Sequence, residues 1–261
     1  GRIGIAAQSV GMARSAFDPA LGYRRAKPWP SLARGTDYYS EGALFWLEAD
    51  QIIRNGTGGK KSIDDFARGF FGMNPGDWGE LTFEQADVVA TLNAVYPYDW
   101  AGLIDTRLNT PGQPAPLGGI EQGGYRLVWK DEPNPYDKAR MAAGKNLALA
   151  HSLGLTLDKD GKVIATQWDS PAFNAGIVPG AKIVAVNGTA YDPGVIKAAI
   201  SAARVGAPLE LLVQRGSRYQ TVAITYRGGL RWPWLERAAP GKAPTGLDRL
   251  LSPRRPVAKA G

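Results

Sequence analysis

Residues 169–188, "DSPAFNAGIVPGAKIVAVNG", decide the fold of the C-terminal half. Gly176 and Gly180 flank a short apolar turn, "AKIVAV" reads as a strand, and Asn187-Gly188 is a two-residue hairpin signal because both positions tolerate positive φ. Upstream, "SLGLTL" (152–157) is a glycine turn running into a strand, and "GKVIATQ" (161–167) reads as the next one. Downstream comes one helix, "DPGVIKAAISAAR", with Asp192 as N-cap and Pro193 at the first helical position. "LELLVQR" and "YQTVAITY" follow as two more strands. The pattern predicts a small β-rich domain over residues 142–228 with no internal repeat.

The N-terminal half has a different period. "GTDYYSEGALFWLEAD" (35–50) opens a helix capped by Thr36 or Asp37 and running to about Arg54. Its centre is apolar on most sides, so a single surface face cannot account for it and a larger body must enclose it. Ser62 with Asp65 has capping-box spacing ahead of "IDDFARGFF". Thr82 with Gln85 is read as a second box ahead of "FEQADVVATLNAV", and Asp99 caps "WAGLIDTRL". "PGQPAPLGG" (111–119) then reads as a linker. The expected division is helical over 1–124, a connecting strand and linker over 125–141, the β-rich domain over 142–228, and a basic, Pro-rich tail over 229–261.

Composition narrows the function classes. Hydrophobic residues make up 44% and charged residues 21% of the 261, as in an ordinary globular chain. No apolar run approaches the ~18 residues of a membrane helix. The opening residues lack the apolar core and cleavage site of a signal peptide. The absent initiator Met leads us to expect further sequence upstream, and the compartment, periplasmic or cytoplasmic, stays open. The net charge of +7 is concentrated in 229–261, where seven basic residues face Glu236 and Asp248. With no recognition motif and no basic-aromatic stripe, the charge does not point to nucleic acid.

Several chemistries fail on spacing. A phosphate-cradling loop needs Gly, four residues, then Gly-Lys-Ser/Thr. Here Gly59-Lys60 is followed by Lys61, and Arg54 stands where the first glycine belongs. Zinc sites need His, Cys or carboxylates at set spacings, but the chain has no cysteine and a single histidine, His151, read as a structural or surface residue. No Gly-x-Ser-x-Gly elbow is present. From its residues alone the chain shows no complete catalytic set.

The β-rich stretch, in the order "SLGLTL", "DSPAFNAGIVPGAKIVAVNG", helix, two strands, resembles a PDZ domain of the bacterial type. That resemblance implies a carboxylate-binding loop at Leu153, Gly154 and Leu155, whose backbone N–H groups capture a peptide C-terminus. The groove would lie between strand 155–157 and the helix face of Val195, Ala198 and Ala199. One departure is that Gly180 is followed by Ala181 and Lys182, where PDZ sequences usually carry Gly-Asp. "DYYSEGALFWLEADQIIR", "GGKKSIDDFARGFFG", "ADVVATLNAVYPYDWAGLIDTRL" and "PLGGIEQGGYRLVW" together resemble the region behind the active site in the glycyl aminopeptidase family, zinc peptidases that carry a C-terminal PDZ domain.

The resemblance runs over residues 1–229. It implies an α+β multidomain fold, with the C-terminal helical part of a thermolysin-like peptidase domain followed by the PDZ-like domain. It also implies zinc in the complete enzyme, held by an upstream His-Glu-x-x-His set that this chain lacks. The chain alone is therefore expected to bind no catalytic zinc and to be inactive. Its expected partners are the missing N-terminal half, possibly as a separate chain, and a peptide substrate or ligand. Finally, "Tyr39-Ser40-Glu41-Gly42" matches the family pattern in which a Tyr at a helix start donates a hydrogen bond to the tetrahedral intermediate, with Tyr38 as the competitor.

Overall fold

A computed structural model describes residues 37–72, 76, 82–110, 115–241 and 243–252. The fold is α+β. The described residues divide into two compact units, one comprising 37–126 and 236–252 and the other 127–235.

The first unit is helical. Helix α1 (Asp37–Gly56) is followed by α2 (Ile63–Phe71), α3 (Gln85–Val95), α4 (Trp100–Ile104), which runs into a π-helical turn at Asp105–Asn109, and α5 (Gly118–Gln122). Phe45, Trp46, Ala49, Ile52 and Ile53 of α1 pack with Phe66, Phe70, Leu92, Trp100 and Ile104 into one core. Stacked rings carry it onward, with Trp46 5.0 Å from Phe66 and Phe66 5.3 Å from Phe70. The greasy rod is thus enclosed by the short helices that follow it in sequence. Its buried carboxylates are bonded inside the unit, while Gln51 Oε1 and Arg54 Nη2 find no partner among the described residues. Asp50 accepts from Arg54 Nε at 2.6 Å and from the backbone N–H of Ile63 at 3.0 Å. Glu48 accepts two bonds from Arg107.

Ser62 and Asp65 form the expected capping box on α2. On α3 the box is displaced. Glu84, not Thr82, is the N-cap, and its backbone N–H donates to Asp87 at 2.8 Å. A carboxylate acceptor forms the stronger, charge-assisted bond, so the Glu84/Asp87 pair wins over Thr82/Gln85. The expected linker is also partly helix: Gly118 and Gly119 begin α5, packed on α1. Among the described residues no helix is long and apolar enough to cross a membrane.

The second unit is β-rich. Strand β2 (Asn146–Leu149) pairs antiparallel with β3 (Leu155–Asp158), and β3 with β4 (Val163–Thr166). The short helix α7 (Pro171–Asn174) leads to a second sheet, in which β5 (Lys182–Val186) lies between β6 (Thr189–Ala190) and β7 (Glu210–Arg215), and β7 pairs with β8 (Arg218–Ala223). Asn187 and Gly188 take φ of 47° and 79°, the primed turn that their sequence requires. Helix α8 (Pro193–Ala203) is capped by Asp192, which accepts from Gly194 N at 2.6 Å. Leu149, Leu155, Leu157, Ile177, Ile183, Ile196, Ile200 and Leu211 fill the core. A helix over 135–144, here α6 (Pro135–Gly144), starts at an Asn134-Pro135 signal within the stretch expected to be a linker.

Within the expected basic tail the described residues form regular elements. Trp232–Arg237 forms β9, paired with β1 (Tyr125–Lys130), and Gly246–Leu251 forms α9. Indole burial supplies the driving force, since Trp232 is buried and donates to the carbonyl of Ala148 at 3.2 Å. Residues 253–261 lie outside the described residues.

Asp248 ties down the start of α9. It accepts from Thr245 N at 2.8 Å, from the Tyr125 hydroxyl at 2.8 Å and from Arg237 Nη2 at 2.6 Å. These bonds, the Thr245 N–H first, lower its pKa to about 2. Its folded-state pKa lies below the unfolded value, so its contribution to stability is complete above about pH 4 and is lost as pH falls toward 2. In thermal melts the deficit of Asp248→Asn relative to the parent is expected to shrink over that window. A deficit that stayed constant from pH 6 to below 3 would refute the assignment.

Candidate functional site

Helix α1 begins at Asp37, which puts Tyr38 and Tyr39 in its first turn. Their side chains lie outside the described residues. The helix is anchored from the other end of its length. Glu48, 6% exposed, takes a bidentate ion pair from Arg107 at 2.9 and 3.0 Å. Arg107 comes from the π-helical turn, a rare geometry that redirects side chains and often marks functional sites. Gly119 of α5 presses on the α1 backbone so closely that a Cβ there would stand 2.5 Å from Glu48 N. Through these contacts the unit fixes the helix that carries Tyr39.

The described residues do not supply a zinc site. Among the described residues no three His, Asp or Glu side chains converge as a metal cage. The whole sequence offers one histidine and no cysteine.

The peptide groove inferred for residues 153–157 is not open. Leu153 and Leu155 are fully buried in the core of the second unit, in the cluster that also holds Ala199 and, at its margin, Val195; Ala198 faces solvent. The structure brings these residues together as packing rather than as the walls of a slot. Strand β3 is paired along both edges, to β2 over Leu155–Asp158 and to β4 over Leu155–Leu157. Strand addition needs a free row of N–H and C=O groups, and β3 has none. The outward edge of β2 is also capped at Ala148, whose N–H meets Met141 Sδ at 3.3 Å and whose C=O takes the Trp232 indole. In the turn itself, Gly154 N donates to Leu149 O at 3.0 Å and so is already used.

What sequence reading missed is a cleft at the same end of the unit. It has a volume of about 330 Å³ and is lined by Trp129, His151, Gln167, Trp168, Asp169 and Arg231, with the 152–154 turn at its base. The Arg231 guanidinium lies 4.4 Å over the Trp129 ring, and the His151 imidazole lies 5.0 Å from the same indole. Burial pushes the His151 pKa down, Asp137 opposes the shift and Arg231 reinforces it, although the residue as a whole is exposed. The indole positions were legible as sequence, but nothing local connects residues 129, 151, 167 and 231.

No protein-family model and no curated protein matches the chain. Among solved structures, the chain is similar to the crystal structure of an aminopeptidase N family protein from Idiomarina loihiensis, at 16% identity and a TM-score of 0.56. The match covers 83% of this chain and 36% of that one, so the chain spans about a third of its neighbour's length. A second match is the HtrA3 PDZ domain bound to a phage-derived ligand, at 17% identity over 44% of this chain and 94% of that one, with a TM-score of 0.21, too low to support a shared fold. The α+β architecture described above is thus similar to that of a portion of this aminopeptidase N family structure.

Proposed function

We propose that the chain is the C-terminal portion of a zinc aminopeptidase that removes small N-terminal residues, Gly or Ala, from peptides. The observation that carries this reading is the fold likeness to the Idiomarina loihiensis protein, which runs through 83% of the chain. Consistent with it, the Tyr38-Tyr39 pair occupies the first turn of a helix held rigidly by Glu48, Arg107 and Gly119. The metal ligands and the general base belong to the portion that this chain does not contain, whether on the same polypeptide or on a separate one.

This chain's own contribution is Tyr39. A phenol with a pKa near ~10 is protonated at neutral pH and donates a hydrogen bond to the oxyanion of the tetrahedral intermediate. The bond forms fully only once the carbonyl oxygen gains charge, so it stabilises the transition state more than the substrate. Adjacent helical positions point about 100° apart, so only one of the two tyrosines takes this role. In the complete enzyme, Tyr39→Phe should lower kcat on alanyl or glycyl anilides by about 10²–10³ with little change in KM, while Tyr38→Phe leaves it within a few-fold. Equal losses in the two variants would remove Tyr39 from the mechanism. A native mass spectrum of the 261-residue chain, with an anilide assay beside it, tests the larger claim. Zinc-dependent turnover by this chain alone would overturn it.

A second reading, a scaffold built around a peptide-binding PDZ-like domain, is disfavoured by the pairing of both edges of β3. We assign the second unit a packing role, with no capture of peptide termini by strand addition.

A further inference from the structure

The open cleft of the second unit has no role in either reading above. We propose that it binds an acidic saccharide, a pyranose bearing a carboxylate, with the carboxylate on Arg231 and the C–H face of the ring against the Trp129 and Trp168 indoles.

The inventory of the cleft selects this chemistry step by step. Trp129 and Trp168 are 41% and 47% exposed, with Arg231 lying over the first and Phe173 packed 4.4 Å from the second, and the ring area that remains faces the cleft. Arg231 is held in place by its own backbone, whose N–H donates to the buried Ser152 Oγ at 3.1 Å, and by its stacking on Trp129. Among the described residues it has no carboxylate partner. A stacked guanidinium with a free planar fork is suited to bidentate recognition of a carboxylate.

An unsubstituted aromatic acid such as benzoate would satisfy Arg231 and the indoles, but it brings no donors. The cleft also presents the Asp169 carboxylate and the Gln167 amide. Asp169 takes φ +58°, and Asn174 Nδ2 donates to its Oδ1 at 3.2 Å, leaving Oδ2 without a partner among the described residues. An anion lacking hydroxyls would face that carboxylate with repulsion alone. A polyhydroxylated anion supplies O–H donors to Asp169 and acceptors to Gln167 and His151, and still gives Arg231 its counter-charge. A neutral sugar leaves Arg231 unpaired.

The cleft is preorganised for such a ligand. Gln167 N donates to Gly154 O at 2.8 Å and Ala172 N to Leu153 O at 3.0 Å, so the wall carrying Gln167, Trp168 and Asp169 is fastened to the turn carrying His151. Little ordering remains to oppose binding.

The test uses the ¹⁵N-labelled 261-residue chain and follows the indole N–H resonances of Trp129 and Trp168. D-glucuronate, D-glucose and benzoate are titrated at matched ionic strength. The expected result is saturable shifts of both indoles with glucuronate at an affinity on the order of millimolar, about tenfold weaker binding of glucose, and no shift of Trp168 with benzoate. Arg231→Gln should weaken glucuronate about tenfold and remove the preference over glucose. Arg231→Lys, which keeps the charge and the stem over Trp129, should lose several-fold because the fork is gone. The backbone spectrum of each variant reports whether the fold is intact, and if Arg231→Gln fails that check, Arg231→Lys decides. Glucuronate binding unchanged in a folded Arg231 variant, benzoate or glucose binding equal to glucuronate, or no indole shift with any of the three would overturn the proposal.

Discussion

Arg107→Met is expected to destabilise the helical unit by about 3–5 kcal/mol, the usual cost of removing one partner from a buried ion pair. Glu48 is 6% exposed on its side chain and accepts two guanidinium bonds at 2.9 and 3.0 Å. Without Arg107, its charge stays buried among α1, α5 and the π-helical turn. Arg107 itself is 22% exposed, so Glu48→Leu should cost less than the reverse deletion, because the freed guanidinium can reach water. The double variant Glu48→Leu/Arg107→Met should recover part of the loss, since a pair of apolar residues leaves no orphaned charge. Urea unfolding of the four members of this cycle measures the coupling. Strict additivity would show that the ion pair does not brace α1. The same experiment bears on function, because α1 carries Tyr39. A loosened α1 should lower kcat of the complete enzyme even though Arg107 meets α1 at Glu48, well beyond its first turn.

Gly154→Val is the second large effect. Gly154 takes φ +79°, a conformation that costs a side-chain-bearing residue roughly 1–2 kcal/mol by itself. A Cβ there would also stand 2.1 Å from Ser170 Cβ, well inside contact distance. The clash pushes apart the 150–154 turn and the 167–172 segment, which two backbone hydrogen bonds otherwise join. We expect a combined loss of about 3–5 kcal/mol, at the upper end of single-residue effects. Gly154→Val/Ser170→Gly separates the two causes. Relief of the contact should restore part of the loss, less the Ser170 N-cap bond to Phe173 N at 3.2 Å, and the conformational term should remain. If Gly154→Val unfolds at the parent's urea midpoint, the turn is not packed as described. The glycine inferred from the PDZ resemblance to receive a ligand carboxylate is required here by the packing of its own turn.

How much of the protein was legible in its residues divides along physical lines. The sequence by itself determined the features that depend on neighbours a few positions apart. Ser62 with Asp65, Asp99 before Trp100, Asp192 before Pro193 and the Asn187-Gly188 hairpin all form where they were read, because caps and tight turns are closed by hydrogen bonds within three or four residues. The helical first half and the β-rich second half followed from hydrophobic period alone. Even at short range, energetic competition misled the reading at α3, where Glu84 and Asp87 outbid Thr82 and Gln85.

Only the tertiary structure decided what depends on segments distant in sequence. Two adjacent glycines argue against a helix on propensity, yet Gly118 and Gly119 begin α5 because the absence of Cβ atoms lets that turn touch the α1 backbone. Residues 229–252 read as a basic, Pro-rich tail, with Trp232, Trp234, Leu235, Leu250 and Leu251 as anchors should it fold back; strand and helix form there, Trp232 and Leu247 are buried, and Arg237 pairs with Asp248. Strand β3 looked like the wall of a groove until β2, four residues long and without a clear signal, closed its second edge. The cleft assembles Trp129, His151, Trp168 and Arg231 from four separate places in the chain. Short-range hydrogen bonding is written in spacing, whereas the burial of one surface by another is fixed only when the whole chain has packed.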